Sequence, residues 1–331
     1  MRKSIYILFL ILVVSGCNGK ISPEKRGIRL NVGVSGLDTE TKAPFVDGEF
    51  TASVWFSYSP GTYPDAPSGD ENLPNRIVTT FTSDKVSDIR DESGKLLQYP
   101  ITDNGNTKIY CTGFYPSDGW SINESQTAYS ATHPIDGVSD LMFAEQIAGS
   151  YQENFGDFTF NHLLTWISFN ASATSVDAAA IWGDITNLTI TTPQSSLTVT
   201  LSGSIGTPCT VNYSGETSVI TVTNTSTPLS VKAADLGSAL CSPPYSKVID
   251  SKTYYGYDIS VTTNGIGTKV IFVPLYDTNS QPITDPQAAI GKQYVLSLYF
   301  NEVSVVSGVC TLKYWEDERE DLYVDGPDQA S

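Results

Sequence analysis

From residue 28 onward the chain is divided by turn residues into short apolar runs, and this spacing constrains the fold more than any single motif. Runs rich in Val, Ile, Thr, Tyr and Phe fall at 28–35, 50–58, 107–115, 158–173, 185–191, 196–202, 209–213, 218–223, 254–263, 269–275, 293–301 and 305–315. Such residues pack well on a pleated, half-buried surface. Only "VDAAAIWGD" and "VKAADLGSAL" have a helical cast, and "SPGTYPDAPSGDENLPN" reads as a surface loop. Many short strands with frequent turns predict an all-β chain of β-sandwiches. The 331 residues suffice for two domains, and an apolar content of 40% suffices to pack them.

The first residues, "MRKSIYILFLILVVSGCNGK", read as a targeting segment. Arg2 and Lys3 form a basic start, and Ile5 to Val14 form an apolar run too short to span a bilayer. Small residues then lead to Cys17, and "VSGC" resembles the lipobox of bacterial lipoproteins. That resemblance implies removal of residues 1–16 and diacylation of Cys17, and two acyl chains anchor a protein stably. The formal net charge of −17 excludes nucleic acid as a partner, because phosphates would repel such a chain. Four cysteines lie beyond the leader: Cys111, Cys209, Cys241 and Cys310. Export permits disulfides among them in three pairings, and buried free thiols are the other reading.

Catalytic and metal motifs are missing from the sequence: it has no GxSxG, HExxH, Gly-rich phosphate loop or EF-hand pattern. His162 lies between large apolar residues in a strand pattern and reads as structural, and His133, before Pro134, reads as a loop residue. The expectation is therefore no enzyme, no catalytic or metal residues and no cofactor. Trp120 in "PSDGW" is the best exposed aromatic candidate for stacking on a sugar.

Segment 28–35 alternates cleanly, with Ile28, Leu30, Val32 and Val34 on one face and Arg29, Asn31, Gly33 and Ser35 on the other. A polar loop containing Lys42 follows. Here the chain resembles the fimbrillin family, the type V pilins of anaerobic Gram-negative bacteria. "IRLNVGVSGLDTETKAP" looks like the family's removable first strand with its basic cleavage loop. "KIYCTGFYPSDG", "DLMFAE", "FNHLLTWISFN" and "GKQYVLSLYFNEV", with the closing "LKYW", look like later family stretches in the family's order.

The resemblance implies two transthyretin-like β-sandwich domains in tandem. Residues 1–16 are then the signal peptide and 17–42 a lipidated leader carrying strand 28–35. Residues 43–178 and 179–315 are the two sandwiches, and 316–331 an acidic polar tail. It also implies an outer-membrane, cell-surface lipoprotein assembled into a fimbrium. A trypsin-like protease cuts after Lys42, where the family has Arg. A strand of another fimbrial subunit then replaces Ile28, Leu30, Val32 and Val34, in support of adhesion to a host or bacterial surface receptor. Stalk, tip and anchor roles stay open at this level. The alternative from a different class is a surface glycan-binding lipoprotein of a polysaccharide-uptake system.

Overall fold

The structure is a computed structural model, and it describes residues 26–35, 49–62, 73–82, 85–123, 129–303 and 306–313. Cys17, Lys42, Trp315 and the tail 316–331 lie outside the described residues. Up to the first long helix the strands are β1 (Arg29–Val34), β2 (Glu49–Ser57), β3 (Arg76–Thr82), β4 (Lys85–Asp88), β5 (Ile109–Tyr115), β6 (Ser121–Asn123), β7 (Ser130–Pro134), β8 (Met142–Gly149), β9 (Asp157–His162) and β10 (Thr165–Ala173). Helix α1 (Val176–Trp182) follows. After it come β11 (Asp184–Thr192), β12 (Ser196–Thr200), β13 (Thr210–Ser214), β14 (Ser218–Thr223), β15 (Thr227–Pro228), β16 (Ala234–Cys241), β17 (Tyr245–Ile249), β18 (Lys252–Thr263), β19 (Gly267–Pro274), β20 (Gln293–Phe300) and β21 (Val306–Lys313). The chain is all-β, as its patterning predicts.

Among the described residues, four sheets build three cores. The largest has the order β3-β2-β5-β8-β9-β1-β4. Its outer strands, β3 and β4, are separated in the chain by residues 83 and 84 alone. So short a link spans about 10 Å at most, so the sheet must curl until its two edges approach. Inside the curl lies a core of Ile28, Leu30, Val32, Phe50, Phe81, Phe158 and Phe160. The other face of β2, β5 and β8 presents Trp55, Phe114 and Phe143 to a small sheet, β13-β12-β7-β6, which contributes Ala131, Leu197 and Val199. The third core lies between β16-β10-β20-β21 and β14-β11-β18-β17, the latter extended by β15 and β19. There Phe169, Tyr294, Leu296 and Phe300 meet Leu188, Ile190, Tyr257 and Val261.

Strand pairing crosses residue 178 in both directions. β10 pairs with β16 and, in parallel, with β20. β12, from beyond that point, pairs with β7. Hydrogen-bonded partners thus lie far apart in the chain, on both sides of residue 178. The run 158–173 is two strands and not one. Its inward positions are Phe158, Phe160 and His162 on β9, then Thr165, Ile167, Phe169, Ala171 and Ala173 on β10. The parity changes at Leu163 and Leu164, both buried, where the chain leaves one core for the next.

Of the two helical candidates, only the first is a helix. Ser175 caps α1 by accepting the Ala178 N–H at 3.0 Å, and Gly183 ends it at φ 70°. "VKAADLGSAL" instead forms most of β16, because pairing with β10 buries Leu236, Ala239 and Cys241. Helix propensity is a weak prior that sheet pairing overrides.

All four cysteines are free, and Cys111, Cys241 and Cys310 are buried. Burial pushes the Cys310 thiol from 9.0 up to about 12 and the Tyr99 phenol from 10.0 up to about 12. Cys111 and Tyr257 are raised for the same reason. Raised values mean that the folded chain holds protons which the unfolded chain releases. Stability from these groups is therefore complete below about pH 8 and falls as pH rises from about 9 to 12. Urea titrations at pH 7 to 11 are expected to give a midpoint that is flat at first and then falls. A second outcome concerns Trp182, which is wholly buried and donates Nε1–H to the Asn301 carbonyl at 2.7 Å. Trp182→Ala should lower stability by about 3–5 kcal/mol in urea denaturation.

Candidate functional site

β1 is an interior strand of the curled sheet. On one side it runs parallel to β9, with Asn31 opposite Asp157, Val32 opposite Phe158 and Val34 opposite Phe160. On the other it runs antiparallel to β4, with Arg29 opposite Asp88 and Val32 opposite Lys85. Backbone bonds extend this grip beyond the strand. Ile28 N–H donates to the Leu97 carbonyl at 2.8 Å, and Ile89 N–H donates to the Ile28 carbonyl at 3.0 Å. Ser35 N–H donates to the Phe160 carbonyl at 2.8 Å, and Tyr99 N–H to the Arg26 carbonyl at 3.1 Å.

The alternation decides which side chains enter the core. Ile28, Leu30 and Val32 are wholly buried and Val34 nearly so, as the pattern of 28–35 requires. At about 1.5–3 kcal/mol for each buried aliphatic side chain, the four contribute roughly 6–12 kcal/mol of gross burial energy. The opposite face is polar and solvated. Arg29 Nε donates to Asp88 Oδ1 at 2.9 Å, and Arg90 Nη2 meets Asp88 Oδ2 at 3.2 Å. Asn31 Nδ2 donates to Asp157 Oδ1 at 2.7 Å. Pairs this exposed add little stability. The register is fixed by the buried aliphatic face, since a one-residue slip would turn every aliphatic side chain outward.

No hairpin joins β1 to either neighbour. Arg29 and Asp88 are 59 residues apart in the chain, and Asn31 and Asp157 are 126 apart. β9 keeps its pairing with β8 whether β1 is present or not, while β4, at the end of the sheet, has β1 as its one strand partner among the described residues. Without it, one edge of β9 and one edge of β4 would face an open slot floored by Phe158, Phe160, Phe81 and Ile89.

The other residues singled out by sequence form no open site. His162 ends β9 and is fully enclosed, with Nδ1 2.7 Å from Asp140 Oδ2. This buried pair is invisible in the sequence, because Asp140 sits in the turn-like "DGVSDL". Burial, and then the nearby Asp140 carboxylate, pushes the Tyr115 phenol above its ordinary value. His133 is also buried, in β7 and not in a loop, and donates Nδ1–H to the Pro134 carbonyl at 2.7 Å. Trp120, expected to be exposed, is partly buried. Its ring lies 4.9 Å from Phe114 and 5.1 Å from His133, and its Nε1–H donates to the Pro116 carbonyl at 3.1 Å. Those contacts leave the ring only partly open to solvent. Among the described residues, no group of His, Cys, Asp and Glu is arranged to hold a metal, and no helix is long and apolar enough to cross a membrane.

A model of the prokaryotic membrane lipoprotein lipid attachment site matches residues 1–18, a span that includes Cys17. The chain thus carries a lipoprotein attachment signal, which supports anchoring to a membrane through lipid. No curated protein matches the chain. Among solved structures it is similar to a candidate cell adhesion protein of Bacteroides uniformis, at 13% identity and a TM-score of 0.51, over 87% of this chain and 99% of that one. A candidate cell adhesion protein of Bacteroides ovatus matches at 14% identity and 0.49, over 89% and 100%. A candidate adhesin of Bacteroides thetaiotaomicron matches at 9% and 0.46, over 89% and 98%. At such identities the first likeness bears on the fold alone, and it extends over nearly the whole chain.

Proposed function

We propose that this chain is a lipidated structural subunit of a cell-surface fimbria, and that β1 occupies its slot provisionally. The observation that carries this reading is the position of β1. It is an interior strand with a fully apolar inner face, yet no hairpin ties it to a neighbour. Cutting the chain after Lys42 would leave β1 held by noncovalent contacts alone. Its departure would expose unpaired N–H and C=O groups on two strands together with an apolar slot, and both costs favour refilling by another strand. Donor-strand pairing satisfies both at once. The contact joins unlike surfaces of successive copies, so it propagates as a fibre instead of closing.

In this reading diacyl Cys17 holds the precursor in the outer membrane and a trypsin-like protease releases the chain at Lys42. Other fimbrial subunits supply the incoming strand. The tandem sandwiches then form the body of a surface fibre that supports adhesion, the role carried in the name of the Bacteroides uniformis neighbour. Low-dose trypsin on the purified precursor is expected to yield a new N-terminus at Ala43, followed by SDS-resistant ladders. Persistence of intact precursor, or cleaved monomer with no ladder at any concentration, would rule out this assembly route.

A further inference from the structure

The floor of the β1 slot would accept any strand with alternating aliphatic residues. Its outer rim is more demanding. Asp88 on β4 and Asp157 on β9 flank β1 on its solvent side. Asp88 is shared between Arg29 at 2.9 Å and Arg90 at 3.2 Å. Asp157 takes a hydrogen bond from Asn31 at 2.7 Å and forms no ion pair among the described residues. When β1 leaves, Asp88 keeps only Arg90, and Asp157 loses the Asn31 amide. Opposite the polar face of β1, Val86 and Thr159 carry no charge, and Lys85, the exposed cation at the far end of β4, forms no ion pair with Asp157 among the described residues.

We infer that Asp88 and Asp157 select the strand that fills this slot. The occupant is an extended segment with aliphatic residues at the levels of Leu30, Val32 and Val34. On its other face it carries Arg or Lys opposite Asp88 and a side-chain N–H donor opposite Asp157. The inference rests on the slot being exchangeable, as proposed above. Its physical basis is discrimination and not affinity. Exposed pairs of this kind hold a strand only weakly. An acidic residue at either level, however, sets like charges directly across adjacent strands, which disfavours pairing. The rim therefore excludes acidic strands that the apolar floor alone would accept. In a chain with 36 acidic and 19 basic residues, that exclusion rejects many of its own segments.

The test uses the full chain with a site-specific protease sequence placed within residues 36–48, so that β1 is severed without reliance on Lys42. After cutting, two fluorescent peptides compete for the slot. One is residues 26–35 as they stand, RGIRLNVGVS. The other carries Arg29→Glu and Asn31→Asp. Capture is read as gel-stable fluorescence. The native peptide is expected to be captured roughly tenfold more at low salt, with the preference shrinking at high salt as screening sets in. A chain carrying Asp88→Lys and Asp157→Lys should prefer the inverted peptide. Equal capture of both peptides overturns charge selection and leaves strand exchange standing. Capture of neither overturns strand exchange, and charge selection with it.

Discussion

The curled sheet depends on one strand to close it. β9 and β4 have no direct pairing with each other, and the core between them is completed by Ile28, Leu30 and Val32. The rings of Phe50, Phe158 and Phe160 already pack edge to face around this space, with centroids 5.1 Å apart for Phe50 and Phe160, and Phe81 packs tilted against Phe50 and Phe160. They cannot collapse into a slot about one strand wide without breaking those contacts. The sheet thus needs an occupant, and it needs one of defined shape. Nothing in this geometry requires the occupant to come from the same chain, since the contacts are hydrogen bonds and aliphatic packing that a second chain supplies equally well.

The slot is also tied to the rest of the molecule. β9, which forms one wall, passes through Leu163 and Leu164 directly into β10, the strand that organises the third core. Tyr213 of the small sheet donates its hydroxyl to the Leu163 carbonyl at 2.5 Å, and Thr165 Oγ1 donates to the Ala289 carbonyl at 3.1 Å. A further buried knot joins Thr192, Ser242 and Tyr257, whose hydroxyl donates to the Ser242 carbonyl at 2.7 Å. Buried polar groups satisfied in this way fix a single arrangement of neighbouring strands. The β9 wall of the slot is therefore anchored at its end by contacts that do not involve β1.

Some of this is plain in the residues. The inner face of β1 is written in the alternation of 28–35, and the cap and stop of α1 are written in Ser175 and Gly183. β4 is not legible: "KVSD" is short and largely exposed, and only its register with β1 gives it a role. β16 is misleading, because Ala and Leu favour a helix locally while Leu236, Ala239 and Cys241 are buried by a partner strand. The doubled leucine at 163–164 carries a signal that period-2 reading passes over, a change of inward parity from even to odd positions. Trp120 looks exposed because Gly and Asp surround it, yet its ring packs beside Phe114 and His133 and is partly buried.

By itself the sequence determined the all-β class, the export and lipid signal, and which face of the strongest strands is apolar, because these depend on residue type and on periods of two. Tertiary structure alone decided which strands meet. The pairings of Arg29 with Asp88 and of Asn31 with Asp157 bring together residues 59 and 126 positions apart. The placement of β1 in the interior of a sheet, and not at an edge, follows from the same long-range pairings. Local patterning says that a strand must be buried; only the closure of the sheet around it says where, and against what.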